Sequence, residues 1–138
     1  LYPCLDKFFD VIKHSNHPDV KTHAFGITVP KILEAYPFTS ADSTSWLKVG
    51  IHGGIFIEGL DGTINVSDRT LKDPNNYWHK DKHTQDIVNE EVERYGYTIK
   101  DLSENFRYRL RYNVDYFLRW QKNYKYKPVN KVKRKSLF

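Results

Sequence analysis

Hydrophobic positions recur with helical spacing at Leu5, Phe8, Phe9 and Ile12, which predicts an amphipathic helix across residues 1–15. Asn16-His17-Pro18-Asp19 then supplies the turn chemistry that stops it. Residues 20–27 alternate in part and carry β-branched and aromatic side chains, so a strand is expected there. Thr28 is placed to cap a short helix in which Pro30 is tolerated, because a first-turn N–H has no helical partner to lose. That helix turns Ile32, Leu33 and Tyr36 inward and stops at Pro37, and residues 38–42 form a short apolar run suited to a buried strand. Helix, strand, helix and strand in succession read as a parallel α/β arrangement.

After Gly54 the period shortens. Ile55-Phe56-Ile57 and Ile64-Asn65-Val66 flank an Asp61-Gly62 pair, the residue types that a tight hairpin turn needs, and an antiparallel hairpin is expected. Residues 69–83 are polar and interrupted by Pro74-Asn75-Asn76, which reads as a loop. Thr84 opens a helix through Ile87, Val88, Val92 and Tyr95 that Gly96 can close. A longer helix over residues 103–124 is expected to bury Phe106, Leu110, Val114, Phe117 and Leu118, and a basic tail follows it.

Composition narrows the classes. A length of 138 residues suits one domain, and no stretch approaches the run of about 20 apolar residues that a membrane span needs. Aromatics make up 15% of the chain, which argues against disorder. The chain contains no Met and opens abruptly on Leu1-Tyr2-Pro3-Cys4, as a piece of a longer protein would. Cys4 is the single cysteine, so no internal disulfide and no cysteine-based zinc site can form, and a reducing, cytoplasmic compartment is expected. The net charge of +5 is concentrated late: residues 122–138 hold seven basic residues and no acid. A polyanionic partner would use such a tail, although basic termini also serve only to solubilise.

The densest polar segment is Thr39-Ser40-Ala41-Asp42-Ser43-Thr44-Ser45-Trp46, followed by Gly50, His52, Gly53 and Gly54. Asp42 falls at the carboxyl end of an expected strand, where catalytic groups project in parallel α/β proteins. An aspartate at a strand-to-loop junction more often caps a helix or closes an Asx turn, and both roles are open on the pattern. His52, beside the glycines, is a weaker ligand candidate. His79, Asp81, His83 and Asp86 are spaced as metal ligands can be, but a solvated surface is the ordinary fate of such a run, and no metal is expected. On the long helix Arg107, Arg111, Asp115 and Arg119 recur every four residues beside Tyr108, Tyr112, Tyr116 and Trp120. Basic beside aromatic suits phosphates and stacked bases, while a solvated face next to an aromatic core stripe is the competing reading.

His23-Ala24-Phe25-Gly26-Ile27-Thr28-Val29-Pro30, Phe38-Thr39-Ser40-Ala41-Asp42 and the segment from Gly53 to Val66 together resemble, in order and spacing, the later barrel portion of the tRNA-guanine transglycosylase family. The resemblance covers residues 1–74. It implies the C-terminal part of a (β/α)8 barrel with an inserted hairpin, and residues 75–138 as a helical, basic extension. It also implies that Asp42 is the nucleophile and that Gly26 lines the base pocket, with Phe25, Ser43, His52 and Gly53 nearby. Gly53, Phe56, Asp61, Gly62, Ile64 and Asn65 would build the hairpin scaffold. Where the tRNA enzymes carry Pro-Thr-Arg after the nucleophile, this chain has Trp46-Leu47-Lys48, and it lacks the cysteines of their zinc site. Asp42-Ser43-Thr44-Ser45-Trp46 is instead similar to the viral and bacterial relatives that place 7-deazaguanines in DNA.

The resemblance therefore implies base exchange without a cofactor, with nucleic acid and a modified guanine as partners, DNA favoured over tRNA, and a homodimer as one option. Arg107, Arg111, Arg119, Lys131, Lys133, Arg134 and Lys135 are the residues expected to meet phosphates. The alternative is a non-catalytic nucleic-acid-binding module that uses the basic, aromatic helix.

Overall fold

The computed structural model describes residues 1–60 and 62–128. Within them the architecture is mixed α/β, built from helices and two small sheets. The chain forms two compact units. One comprises Leu1–Ser43 with the described residues from Asn123 onward, and the other is Thr44–Lys122. The boundary after residue 74 that the resemblance implies separates barrel from extension, and this division into compact units falls at another place, after Ser43.

The first unit opens with helix α1 (Tyr2–Lys13), which buries Leu5, Phe9 and Ile12. Phe8, expected inward, lies 46% exposed. Strand β1 (His23–Phe25) leads into helix α2 (Pro30–Ala35), which buries Ile32 and Leu33 and ends where Tyr36 turns extended before Pro37. Val29, not Thr28, occupies the N-cap of α2, and no side chain caps that helix. Strand β2 (Ser40–Asp42) then pairs in parallel with β1. It is not the buried strand that its neighbours suggested: Phe38, just before it, is buried, whereas Ser40 and Asp42 are exposed.

The core of this unit is largely aromatic. Phe9 stacks on Tyr36 with centroids 5.7 Å apart and meets Phe38 edge to face at 5.0 Å. The Tyr36 hydroxyl donates to Asp6 at 3.0 Å, and burial, reinforced by that carboxylate, pushes its pKa up to about 12. Beyond the second unit, Tyr124 donates its hydroxyl to the Leu33 carbonyl at 3.1 Å.

The second unit begins with helix α3 (Ser45–Ile51) and continues into an antiparallel hairpin of β3 (Gly54–Phe56) and β4 (Thr63–Asn65). Ile55 sits opposite Ile64, as the alternating pattern requires. Two short 3-10 turns, Asp68–Thr70 and Tyr77–His79, order the loop. Helix α4 (Lys82–Arg94) starts two residues before Thr84, because Asp81 is its cap and accepts from the Thr84 N–H. Gly96, at φ +79, ends it as expected.

The long helix of the sequence reading is in fact two: α5 (Ile99–Glu104) and α6 (Phe106–Asn123), separated at Asn105. The inward face of α6 also differs. Phe106 and Leu118 are 47% and 51% exposed, while Arg109, Tyr112, Asn113 and Tyr116 are buried. Ile55, Ile57, Ile64, Val66, Tyr77, Val88, Val92, Leu102 and Tyr112 make one core, so the hairpin shares its interior with the helices that follow it.

Candidate functional site

Parallel pairing of β1 with β2 sets His23 beside Ser40, Ala24 beside Ala41 and Phe25 beside Asp42. Successive strand residues point to opposite faces, so His23, Phe25, Ser40 and Asp42 share one face. Ala24 is buried on the other, and all four of the former are exposed. Two three-residue strands thus display an imidazole, a phenyl ring, a hydroxyl and a carboxylate on one outward surface. Its base is braced by Thr22, whose carbonyl accepts from the Thr39 N–H at 2.9 Å and whose N–H donates to the Thr39 hydroxyl at 3.2 Å.

The four side chains interact as a chain. His23 Nε2 lies 3.6 Å from Asp42 Oδ1, an ion-pair separation when the ring is protonated, and Nδ1 lies 2.8 Å from Ser40 Oγ. The Phe25 ring meets the imidazole edge to face at 4.5 Å between centroids and remains 80% exposed. Directly after it Gly26, at φ +69, turns the chain and donates its N–H to the Asp42 carbonyl at 2.9 Å. The helix-capping role open to Asp42 is not the one it takes: the N-cap of α3 is Thr44, and the Asp42 carboxylate faces His23.

Of the residues singled out by sequence, Asp42, Phe25 and Gly26 are brought together here, and half-buried Ser43 follows Asp42 in the chain. His52 and Gly53 belong to the second unit. His52 is the exposed C-cap residue of α3. Gly53, at φ +99, packs so closely that a Cβ would sit 2.6 Å from Asn65 Oδ1 and 2.7 Å from Ser67 Cβ, and its carbonyl accepts from Val66 at 2.8 Å. Its glycine is explained by the hairpin alone.

The expected phosphate-binding set divides. Arg107 and Arg111 are exposed on α6. Arg119 is engaged: its side chain is only 19% exposed, its Nε donates to Glu58 at 3.3 Å, and its guanidinium lies 3.5 Å over the Tyr95 ring. Tyr112 and Tyr116, placed on the same stripe as candidate stacking rings, are core residues. Lys131, Lys133, Arg134 and Lys135, like Asp61, lie outside the described residues.

The His79 to Asp86 run has structural duties. Asp81 caps α4, and bonds from the Thr84 hydroxyl and N–H hold its carboxyl below the usual range. His79 Nε2 meets the Leu71 carbonyl, and Asp86 pairs with Lys82. Among the described residues no group of His, Cys, Asp or Glu side chains is arranged to hold a metal, and no helix is long and apolar enough to cross a membrane.

Sequence reading passed over His23 and Ser40. The signal lay in the register: His-x-Phe and Ser-x-Asp, aligned in parallel, put four polar or aromatic side chains on one face. It also passed over the buried polar groups of the second unit. Glu91 accepts from the Glu58 N–H at 2.9 Å and from the Tyr112 hydroxyl at 2.9 Å, and Arg109 donates to three carbonyls. Compared with family models, curated proteins and solved structures, the chain matches none.

Proposed function

We propose that the chain carries the nucleophile of a transglycosylase-like enzyme that exchanges a base in a nucleic acid, with DNA favoured over tRNA. The observation that carries this reading is the placement of Asp42 as the last residue of a parallel strand, with its carboxylate on the outward face. The carboxyl ends of parallel strands are where ligands dock in α/β proteins. Attack of the carboxylate on C1′ breaks the glycosidic bond and forms a covalent glycosyl-enzyme, which an incoming base resolves, as in retaining glycoside hydrolysis. The exposed ring of Phe25 offers a stacking surface for a base taken out of the helix, and Gly26 keeps the rim beside it free of a side chain.

In this reading β1, α2 and β2 are a βαβ unit from the C-terminal part of a (β/α)8 barrel, the hairpin is an insertion in it, and the later helices are an extension. The preference for DNA rests on the likeness of Asp42-Ser43-Thr44-Ser45-Trp46 to the DNA-modifying relatives. The test is incorporation of labelled guanine and labelled 7-deazaguanine into duplex DNA and into tRNA by the full-length protein. Asp42→Asn is expected to lower incorporation by about 10⁴-fold or more. Because Asp42 is exposed, stability should stay within about 0.5 kcal/mol. Incorporation at the wild-type level by that variant would sink the assignment.

A further inference from the structure

The side chain that meets the Asp42 carboxylate is His23, and its other ring nitrogen is held by Ser40. We propose that His23 is a positioning residue for Asp42: it orients the carboxylate for attack and receives its charge back when the glycosyl bond is broken. This inference rests on the reading of Asp42 as nucleophile.

Distance decides which job the imidazole can do. A group that protonates the departing base must stand clear of the nucleophile, and in retaining glycosidases the two carboxyl groups are about 5–5.5 Å apart. Nε2 lies 3.6 Å from Asp42 Oδ1, on the nucleophile's own side. It therefore serves the carboxylate rather than the leaving base. Ser40 makes that service directional. With Nδ1 accepting from the Ser40 hydroxyl, the ring plane is fixed and the ring proton is placed on Nε2, the nitrogen that lies 3.6 Å from Asp42.

The charges balance through both half-reactions. In the first, Asp42 forms an oxygen–carbon bond to C1′ as the bond from C1′ to the base nitrogen breaks, and the electron pair leaves with the base. The carboxylate charge disappears into an ester while His23 stays in place. In the second, the incoming base nitrogen gives up its proton to the departed base anion and bonds to C1′, the ester bond breaks, and its electron pair returns to Asp42. The Nε2–H is then the donor that meets the reappearing carboxylate. An N–H aimed at a group that gains charge as it departs accelerates departure, because the interaction strengthens on the way to the transition state. The second half-reaction should therefore depend on His23 more than the first.

The experiment uses the full-length protein, a duplex oligodeoxynucleotide containing guanine, and labelled guanine as the incoming base. Acid quench and denaturing gels read the covalent adduct while label incorporation reads turnover. For His23→Ala, adduct resolution is expected to slow by about 10- to 100-fold. Formation should change by less than about fivefold, so adduct accumulates even as turnover falls. Added imidazole should restore resolution. Ser40→Ala should move both readouts in the same direction by less, and Ser40→Thr, which keeps the hydroxyl, should behave as wild type. His23 and Ser40 are exposed, so folding should survive, and His23→Gln serves if the Ala variant melts early.

A His23 variant whose adduct and turnover fall together, without imidazole rescue, overturns the role of His23 and leaves Asp42 standing. So does a variant with unchanged kinetics. Wild-type protein that forms no adduct and exchanges no base overturns the Asp42 reading, and this inference with it.

Discussion

Gly53 and Gly62 separate two reasons for having no side chain. Both hold left-handed backbone, at φ +99 and φ +127, but a Cβ at Gly53 would press on Asn65 and Ser67 while a Cβ at Gly62 would meet nothing within 4 Å. Strain plus crowding at Gly53 should make Gly53→Ala cost about 2–4 kcal/mol. Strain alone should hold Gly62→Ala to about 1–2 kcal/mol. Chemical denaturation of both variants checks this, and equal losses would contradict it. At this scale the sequence marked Asp42 correctly as the residue where a strand ends, because Ser, Thr and Gly cluster visibly around it. It did not mark His23, whose partnership with Ser40 spans 17 residues and exists only once two strands align. A side chain's neighbours across a parallel pair depend on a register that no local pattern states.

Among the elements, α6 shows where periodicity misleads. Phe106, Leu110, Val114, Phe117 and Leu118 form the more apolar stripe in sequence, yet the interior receives Arg109, Tyr112, Asn113 and Tyr116. Polar groups of Arg109, Tyr112 and Asn113 on that face are matched by partners from other elements. Asn113 accepts from the Phe56 N–H and donates to the Trp46 and Gly54 carbonyls, and Tyr112 donates to Glu91. Polar groups that meet such partners are buried at little net cost, so hydropathy alone cannot find the face.

Arg109 is the sharpest case, donating to Gly50 at 2.8 Å, Leu102 at 2.6 Å and Ser103 at 3.1 Å. Arg109→Met should destabilise by about 3 kcal/mol, because three carbonyls lose a charged donor and only that of Gly50 keeps a second donor, the Gly53 N–H. Arg107→Ala and Arg111→Ala, on the exposed side, should stay within about 0.5 kcal/mol. Urea midpoints of the three variants decide the orientation of the helix.

Tyr97 adds a pH signature to the same packing. Its hydroxyl donates to Asp115 at 2.7 Å, and burial, reinforced by that carboxylate, pushes its pKa up to about 12. The folded state therefore keeps a proton that the unfolded chain releases near pH 10, so this contribution to stability is complete below pH 10 and fades as pH rises toward 12. Tyr97→Phe should make the fall in unfolding free energy over that window shallower, by up to about 1.4 kcal/mol per pH unit. An unchanged slope would place the ionisation elsewhere.

At the largest scale, alternation of helix and strand correctly announced a mixed α/β architecture, with a parallel pair and a hairpin among the described residues. The boundary between its units was not legible, because it depends on which faces of the hairpin and the helices meet, and the core that joins them is assembled from residues spread between Ile55 and Tyr112. The net charge of +5 suits a polyanionic substrate, and the candidate nucleophile sits on a strand pair rather than on the basic helix. Under the proposed function, covalent chemistry would fall to the first unit and phosphate contact to the exposed arginines of the second.

The most direct measurement is peptide mapping by mass spectrometry of the full-length protein, quenched after incubation with guanine-containing duplex DNA and no incoming base. A covalent link from DNA to one peptide, at Asp42, is expected, and it should be absent from Asp42→Asn. Base exchange that proceeds without any adduct, or an adduct on a different carboxylate, would contradict it.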